Sequence, residues 1–229
     1  MRVMIEIKGL KKQFGETVAC DIPQLTIADG EIIGLVGNNG AGKTTLFRMM
    51  LDLLKADEGE VCLDGINPAE SEQWKLTTGA YIDEGFLIDY LTPEEYFQFL
   101  ARITGIADMQ QRLQRYERLA ADELFGQQKL IRNLSAGNKQ KVGIMAALVA
   151  EPKLVILDEP FNFLDPSGQN ILKHVLQEYR ERTGATLIIS SHNLQHTIDI
   201  SSRVIVLEKG RVVLDGANRQ ELERYFNVE

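Results

Sequence analysis

Residues 37–44 constrain the fold of this chain more than any other segment. They read Gly-Asn-Asn-Gly-Ala-Gly-Lys-Thr, directly after the apolar run at 32–36 and at the start of a helical pattern at about 43–53. Glycines let successive backbone N–H groups converge on phosphate oxygens, and the start of a helix adds its positive end. The order of strand, glycine loop and helix therefore predicts a phosphate-binding loop inside an α/β fold.

Two side chains at the end of this loop predict how phosphate and metal are held. Lys43 supplies a positive charge for the β and γ phosphates of ATP, and the Thr44 hydroxyl is a candidate ligand for Mg²⁺. We predict that ATP contacts the loop and the helix start through Gly37, Asn38, Asn39, Gly40, Ala41, Gly42, Lys43, Thr44 and Thr45.

A second polar site follows a buried strand. Residues 154–157 read Leu-Val-Ile-Leu and are followed by Asp158 and Glu159. A buried carboxylate needs a partner or a metal to offset its desolvation. Asp158 is therefore predicted to interact with Mg²⁺ indirectly, either through a water molecule or through one of the direct ligands of the ion. Glu159 is predicted to be the base that polarises the attacking water. Taken alone, an Asp-Glu pair at the end of a strand lies in a solvated loop as often as in a catalytic site. The presence of the phosphate loop in the same chain favours the catalytic interpretation.

Charge and composition exclude several classes of function. The 25 Lys and Arg residues against 33 Asp and Glu residues give a formal charge of −8, which provides no drive toward nucleic acid or an anionic lipid surface. Cys20 and Cys62 lack metal-binding spacing, and a reducing cytoplasm is expected. The N-terminus does not resemble a signal peptide, and no apolar run reaches the roughly 18 residues that cross a bilayer. Any membrane role is expected to come through a partner.

Strand and helix patterns alternate along most of the chain. Strands are predicted at 2–7, 22–27, 31–36, 60–63, 78–82, 153–158, 185–190, 203–208 and 211–215, and helices at about 43–53, 93–103, 108–124, 138–150, 167–181 and 217–226. Continuous Val, Ile and Leu runs predict central strands of a parallel sheet. Strand patterns are missing between 84 and 150, which predicts a helical insertion in a single domain whose core is formed by 1–83 and 151–229.

Residues 133–141, Asn-Leu-Ser-Ala-Gly-Asn-Lys-Gln-Lys, narrow the class of nucleotide hydrolase. An ordinary helix cap is the simplest interpretation of Ser135 and Gly137. The segment also resembles the Leu-Ser-Gly-Gly-Gln signature of ATP-binding-cassette (ABC) ATPases, and it precedes the acidic strand as in that family. The resemblance implies that Ser135, Ala136 and Gly137 contact ATP. It also implies a P-loop NTPase fold, with a RecA-like, mostly parallel core, an antiparallel β subdomain and a helical insertion.

The resemblance extends over nearly the whole chain. Phe14 is similar to the aromatic residue that stacks on adenine, although a lone Phe is more often part of a core. Asp165 lies in a segment that resembles the loop crossing the dimer interface, which implies contact with nucleotide. His192 resembles the switch histidine that contacts the γ phosphate, whereas His174 and His196 are interpreted as structural or solvated. The implied catalytic residues are Lys43, Glu159 and His192.

Three departures from the family pattern stand out. Ala136 replaces the first signature glycine, and Asn138 stands where Gln is usual. The loop between core and insertion carries acids in place of the family's Gln, and Glu84 takes that place by alignment, with Asp83 as the alternative. Glu84 can reach Mg²⁺ through water but cannot donate the hydrogen bonds of an amide. Acids at this place resemble those of export-type (ABC-2-like) cassettes.

The family resemblance also implies an assembly and a role. Two cassettes associate head to tail in that family, so that each ATP lies between the phosphate loop of one chain and the signature of the other. The expected protein is therefore a homodimeric ATPase subunit on the cytoplasmic face of the membrane. It would drive a separately encoded permease, which docks beside Glu84 and residues 85–92. One alternative is a soluble regulatory ATPase that controls a cytosolic partner. A nucleotide-binding protein without turnover is disfavoured because the catalytic residues are all present.

Overall fold

The computed structural model describes residues 2–216 and Leu222, and the remainder of the helix predicted at 217–226 lies outside the described residues. The strands are β1 (Val3–Phe14), β2 (Thr17–Ala28), β3 (Ile32–Val36), β4 (Glu58–Leu63), β5 (Thr78–Tyr81), β6 (Leu154–Leu157), β7 (Thr186–Ser191), β8 (Arg203–Glu208) and β9 (Arg211–Asp215). The helices are α1 (Lys43–Met50), α2 (Pro93–Thr104), α3 (Met109–Gln114), α4 (Glu117–Ala120), α5 (Ala136–Val149), α6 (Pro166–Thr183) and α7 (Leu194–Ile198). None of these described helices is long and apolar enough to cross a membrane.

A six-stranded sheet in the order β5-β6-β7-β3-β8-β9 forms the centre of the fold. Its first five strands are parallel, and β9 pairs antiparallel with β8. Strands β3, β6 and β7 are buried along their whole length, as in a parallel sheet covered on both faces. Parallel pairing of Val36 with Ser191 and of Leu157 with Ile189 brings the carboxyl ends of these strands to one edge. The phosphate loop and the acidic pair therefore share that edge.

A separate antiparallel sheet has the order β2-β1-β4. Its buried side chains belong to the same hydrophobic cluster as those of α1. Both β1 and β2 extend well beyond the predicted 2–7 and 22–27. Many of the added residues are polar and exposed, because one face of an antiparallel pair can face water. The apolar runs therefore marked only parts of these two strands.

The secondary structure described between β5 and β6 is entirely helical. Helix α2 begins at a capping box formed by Thr92 and Glu95. Buried residues of α2, α4 and α5 share one hydrophobic cluster with Val155 and Leu157 of β6. Ile156, which points the other way, belongs to the cluster around β1 and α1. The two faces of the central sheet are thus covered by different parts of the chain.

The prediction of one helix at 108–124 is wrong. Helix α3 ends at Gln114, α4 spans only four residues, and Ala121 then has a left-handed φ of 49°. Tyr116 and Leu119 are buried, and the Tyr116 hydroxyl donates to the carbonyl of Leu148 at 3.4 Å. Packing of these side chains against α5 overrides the local helical pattern.

Candidate nucleotide-binding and catalytic site

The phosphate loop joins β3 to α1 at the carboxyl edge of the central sheet. Gly40 and Gly42 have φ values of 82° and 106°, in a left-handed region that glycine adopts without strain. A Cβ at Gly42 would lie 2.4 Å from the carbonyl oxygen of Ala19 on β2. Asn38 and Asn39 are exposed. The loop therefore has a packed base and an accessible tip, as a phosphate cradle requires.

Lys43, Glu159 and His192 form a chain of polar contacts beside the loop. Lys43 is only 6% exposed, and its Nζ donates to the Gly37 carbonyl at 2.6 Å and lies 3.1 Å from Glu159 Oε1. Glu159 Oε2 lies 2.8 Å from His192 Nδ1 and accepts the His192 backbone N–H at 3.2 Å. The structure therefore brings together the three predicted catalytic residues from α1 and from the ends of β6 and β7.

Asp158 is buried at the end of β6, where two hydroxyl groups contact it. Its Oδ2 accepts a hydrogen bond from Thr44 at 2.5 Å, and its Oδ1 accepts one from Ser190. Burial raises the pKa of the Asp158 carboxyl above its usual value, while the two hydroxyl bonds oppose that shift. Two of the three residues predicted to interact with Mg²⁺, Thr44 and Asp158, are therefore in contact with each other.

The donor set around Thr44 and Asp158 fits Mg²⁺ only together with a phosphate ligand. Among the described residues, no group of three or more His, Cys, Asp or Glu is placed to hold a metal ion. Mg²⁺ is commonly bound by one or two carboxylates, waters and substrate phosphates rather than by an all-protein cage. One hydroxyl and one carboxylate beside a phosphate loop match that pattern.

Two residues to which the sequence assigned no role hold the backbone of Glu159. Ser190 Oγ accepts the Glu159 N–H at 2.8 Å, and Gln140 Nε2 donates to the Glu159 carbonyl at 3.0 Å. Glu159 has a φ of 46°, a conformation that costs energy for a non-glycine residue and persists where its surroundings hold it. Ser190 carried a signal in the sequence, because it follows the apolar run at 187–189, whereas Gln140 lies in the polar run at 138–141 and carried none.

The two acids considered for the linking loop pair with cations from different helices. Glu84 Oε2 lies 3.0 Å from Lys139 Nζ on α5, and Asp83 Oδ2 lies 3.3 Å from Arg48 on α1. Asp83, Glu84, Asp158, Glu159 and Ala136 all line one cleft of about 250 Å³. Glu84 therefore faces the same space as the predicted metal-binding and catalytic carboxylates.

The signature segment starts α5 and packs against the loop that follows β6. Ser135 Oγ accepts the N–H of Asn138 at 3.2 Å, so this serine is a helix cap. A Cβ at Gly137 would lie 2.6 Å from the carbonyl oxygen of Phe163. Asp165 caps α6, and it lines a cleft of about 380 Å³ together with Ser135 and Gly137. Ser135, Gly137 and Asp165 therefore meet at a cleft different from the one lined by Asp158 and Glu159, whereas Ala136 of the signature lines the Glu159 cleft.

Phe14 and Thr45 belong to different elements of the predicted nucleotide site. Phe14 ends β1 with 52% of its surface exposed, so the alternative that it is a core residue is wrong. Lys12 Nζ lies 5.5 Å from the centre of its ring. Thr45 is partly buried in the first turn of α1. An exposed aromatic face is available for stacking.

Comparison with known proteins identifies the class of hydrolase. Residues 20–162 match the family model described as ABC transporter. The chain is 35% identical over 225 residues to the bacitracin transport ATP-binding protein BcrA of Enterococcus faecalis, covering 98% of this chain and 72% of that protein. It is 32% identical over 219 residues to the methionine import ATP-binding protein MetN of Rhizobium johnstonii, covering 93% of this chain and 60% of that protein.

Solved structures agree with this assignment. A structure of the ATP-binding subunit of an ABC transporter matches with a TM-score of 0.83 and 26% identity, covering 98% of this chain and 94% of the other. A dimeric post-hydrolysis structure of the ATP-binding cassette MJ0796 with ADP and Pi matches with a TM-score of 0.81 and 25% identity, covering 93% and 97%. The fold and site thus define a P-loop ATPase. The chain belongs to the ABC transporter family, as an ATP-binding subunit that hydrolyses ATP.

Proposed function

We propose that this ATPase subunit works as a homodimer that encloses two ATP molecules, each with Mg²⁺, and drives a separately encoded membrane permease. The strongest support for its chemistry is the chain of polar contacts that joins Lys43, Glu159 and His192 at one edge of the sheet. These groups bind phosphate, activate water and sense the γ phosphate. Catalysis then consists mainly of positioning and charge stabilisation.

The phosphate side of the site is divided between backbone and side chains. Lys43 and the N–H groups of the loop bind the β and γ phosphates. Thr44 and Asp158 would hold Mg²⁺, and Glu84, which lines the same cleft as Asp158, would reach it through water. The bound ion would supply charge neutralisation for the phosphates.

The remaining side chains act on water and on the base of ATP. Glu159 polarises the attacking water, and His192, 2.8 Å from the Glu159 carboxylate, contacts the γ phosphate. Phe14 stacks on adenine, which its exposed ring supports.

The homodimer places the phosphate loop of one chain opposite Ser135, Ala136, Gly137 and Asp165 of its partner. Ser135 and the start of the 14-residue helix α5 present a positive helix end and a hydroxyl, which together favour an anion. Ser135, Gly137 and Asp165 line a different cleft from that of Glu159, and Ala136 lies at the wall of the Glu159 cleft. The dimeric state of the related cassette MJ0796 supports the same assembly here.

Residues 84–150 form, in this proposal, a helical subdomain that receives the permease. A groove of about 490 Å³ lies between β5, α2 and α5, with the exposed side chains of Phe86 and Ile103 on its wall. Exposed apolar grooves are typical of surfaces that bind a partner helix. BcrA and MetN, to which this chain is similar, are named as transport proteins. The subunit would then lie on the cytoplasmic face of the membrane through its permease, and Glu84 favours an export-type system.

The molar mass of the Glu159→Gln variant tests the assembly. One chain has a mass of 25.7 kDa, and light scattering with ATP and Mg²⁺ is expected to give twice that mass, whereas ADP leaves single chains. A monomer at saturating ATP would contradict the dimer.

Co-purification from native membranes is expected to recover an integral membrane protein. Recovery of cytosolic proteins alone would favour the regulatory alternative.

A further inference from the structure

The ion pair of Glu84 and Lys139 joins the catalytic cleft to the signature helix. Lys139 Nζ and Glu84 Oε2 lie 3.0 Å apart, with the lysine side chain 21% exposed and the glutamate side chain 59% exposed. Glu84 begins the 3-10 helix Glu84–Phe86 that follows β5, whereas Lys139 lies in α5 and donates its backbone N–H to the carbonyl of Ser135. The pair therefore connects two segments that come from different parts of the chain.

The neighbouring acid is held from the opposite side. Asp83 Oδ1 accepts the N–H of Gly85 at 2.8 Å, and Asp83 Oδ2 pairs with Arg48 on α1. Asp83 therefore fixes the turn and connects it to the helix that follows the phosphate loop. The side chain of Glu84 is left to contact α5. Two consecutive acids thus link the phosphate-loop helix to the signature helix.

Helix α5 also reaches the catalytic cleft at the next residue. Gln140 donates to the carbonyl of Glu159 at 3.0 Å, and Gln140, Glu84 and Glu159 line the same cleft. A movement of α5 therefore acts on the cleft at two adjacent points. A carboxylate at position 84 can form an ionic contact with an ammonium, which an amide cannot do.

We propose that Lys139 is a positioning residue for ATP hydrolysis. Its ammonium orients the Glu84 carboxylate at the wall of the cleft that Asp158 and Glu159 share, and so couples the position of the signature helix to the catalytic groups. This inference rests on the proposed function of that cleft. A partly exposed ion pair contributes little to the stability of a fold. Breaking this pair is therefore expected to lower the rate of ATP turnover and to leave the stability of the fold nearly unchanged.

A double-mutant cycle tests the proposal through steady-state ATP turnover. Lys139→Gln and Glu84→Gln are each expected to lower kcat by roughly threefold to tenfold, with the KM for ATP changed by less than about twofold. The double variant is expected to be no slower than the slower single variant. The charge exchange Glu84→Lys with Lys139→Glu keeps an ionic contact but removes the carboxylate proposed to reach Mg²⁺, so its kcat is expected to stay at or below that of Glu84→Gln. Lys8→Gln, which removes the exposed pair with Glu6 at 2.9 Å, is the control and is expected to match the wild type.

Hydrogen exchange provides a readout that does not depend on hydrolysis. In protein without added nucleotide, the amides of residues 85–87 are expected to exchange faster in Lys139→Gln and at the wild-type rate in the charge exchange. Additive losses of kcat, single variants with unchanged kcat, or unchanged exchange in Lys139→Gln would each overturn the proposal. If the wild type and Glu159→Gln hydrolyse ATP equally fast, the proposed function fails, and the exchange rates still decide whether the pair orients the loop.

Discussion

Glu159 Oε1 lies 3.1 Å from the ammonium nitrogen of Lys43, so the group proposed to activate water is held by the cation proposed to bind phosphate. The two side chains are only 20% and 6% exposed, and partial exclusion of water strengthens their attraction. The phosphates of ATP must therefore compete with Glu159 for Lys43. In the proposed mechanism, binding of phosphate to Lys43 frees the Glu159 carboxylate to polarise water, so one lysine would couple ATP binding to activation.

Glu159→Gln is expected to lower ATP turnover by about 10²- to 10⁴-fold, because an amide cannot act as the base. ATP binding is expected to persist, since the amide no longer holds Lys43 as an ionic partner. Phosphate release and equilibrium ATP binding measure the two effects. Glu181→Gln, on the exposed side of α6, is the matched control. Turnover equal to that of the wild type would remove Glu159 from this role.

Gln140→Leu removes the donor to the Glu159 carbonyl while keeping a side chain of similar size. We expect kcat to fall by roughly threefold to tenfold, because one hydrogen bond that holds the catalytic backbone is lost. The KM for ATP is expected to stay unchanged. Steady-state kinetics measure both, with Gln98→Leu at an exposed position of α2 as the control. A raised KM with an unchanged kcat would show that Gln140 serves ATP binding instead.

Asp158→Asn is expected to stabilise the fold while slowing hydrolysis. Burial raises the pKa of this carboxyl, so the folded state holds the charged form at a cost. That cost is absent below 3.8, the pKa of this carboxyl in the unfolded chain. It grows as the pH rises toward the higher pKa of the folded state and is complete above that pKa. The melting temperature of the variant should therefore exceed that of the wild type near neutral pH, by about 2–4 °C for each kcal/mol gained.

The pH dependence of the difference in melting temperature between Asp158→Asn and the wild type tests whether the buried charge of Asp158 is its cause. Melting temperatures are compared from acid to neutral pH in the presence of a chelator, which keeps Mg²⁺ from binding Asp158. The advantage of Asp158→Asn should shrink as the pH falls toward 3.8. A difference that is constant with pH, or a less stable variant at neutral pH, would contradict the proposed cost of the buried charge.

The central strands could be predicted from the sequence because they are buried on both faces. Strands β3, β6 and β7 are continuous apolar runs, and their order along the chain with the intervening helices indicates a parallel sheet. The long hairpin of β1 and β2 was only partly predicted, because its outer half is polar and exposed. The break near Tyr116 depends on packing against α5, which local periodicity does not report.

The site was predictable where its residues are contiguous. The phosphate loop and the pair Asp158 and Glu159 are each one short segment with its own chemistry. The contact of Gln140 with Glu159 joins residues 19 positions apart, and that of Lys139 with Glu84 joins two different parts of the fold. Such contacts depend on how the helical segment packs on the sheet, which no local pattern specifies.

The central claim is that each ATP lies between two chains, and mixing two defective variants tests it most directly. Lys43→Ala damages the phosphate loop and Ser135→Arg blocks the signature, so each variant alone is expected to be inactive. In an equal mixture about half of the dimers contain both variants, and each mixed dimer has one site with both defects and one intact site. Turnover is therefore expected to return to about a quarter of the wild-type rate if the sites act independently. A mixture no more active than its components would show that each site is built within a single chain.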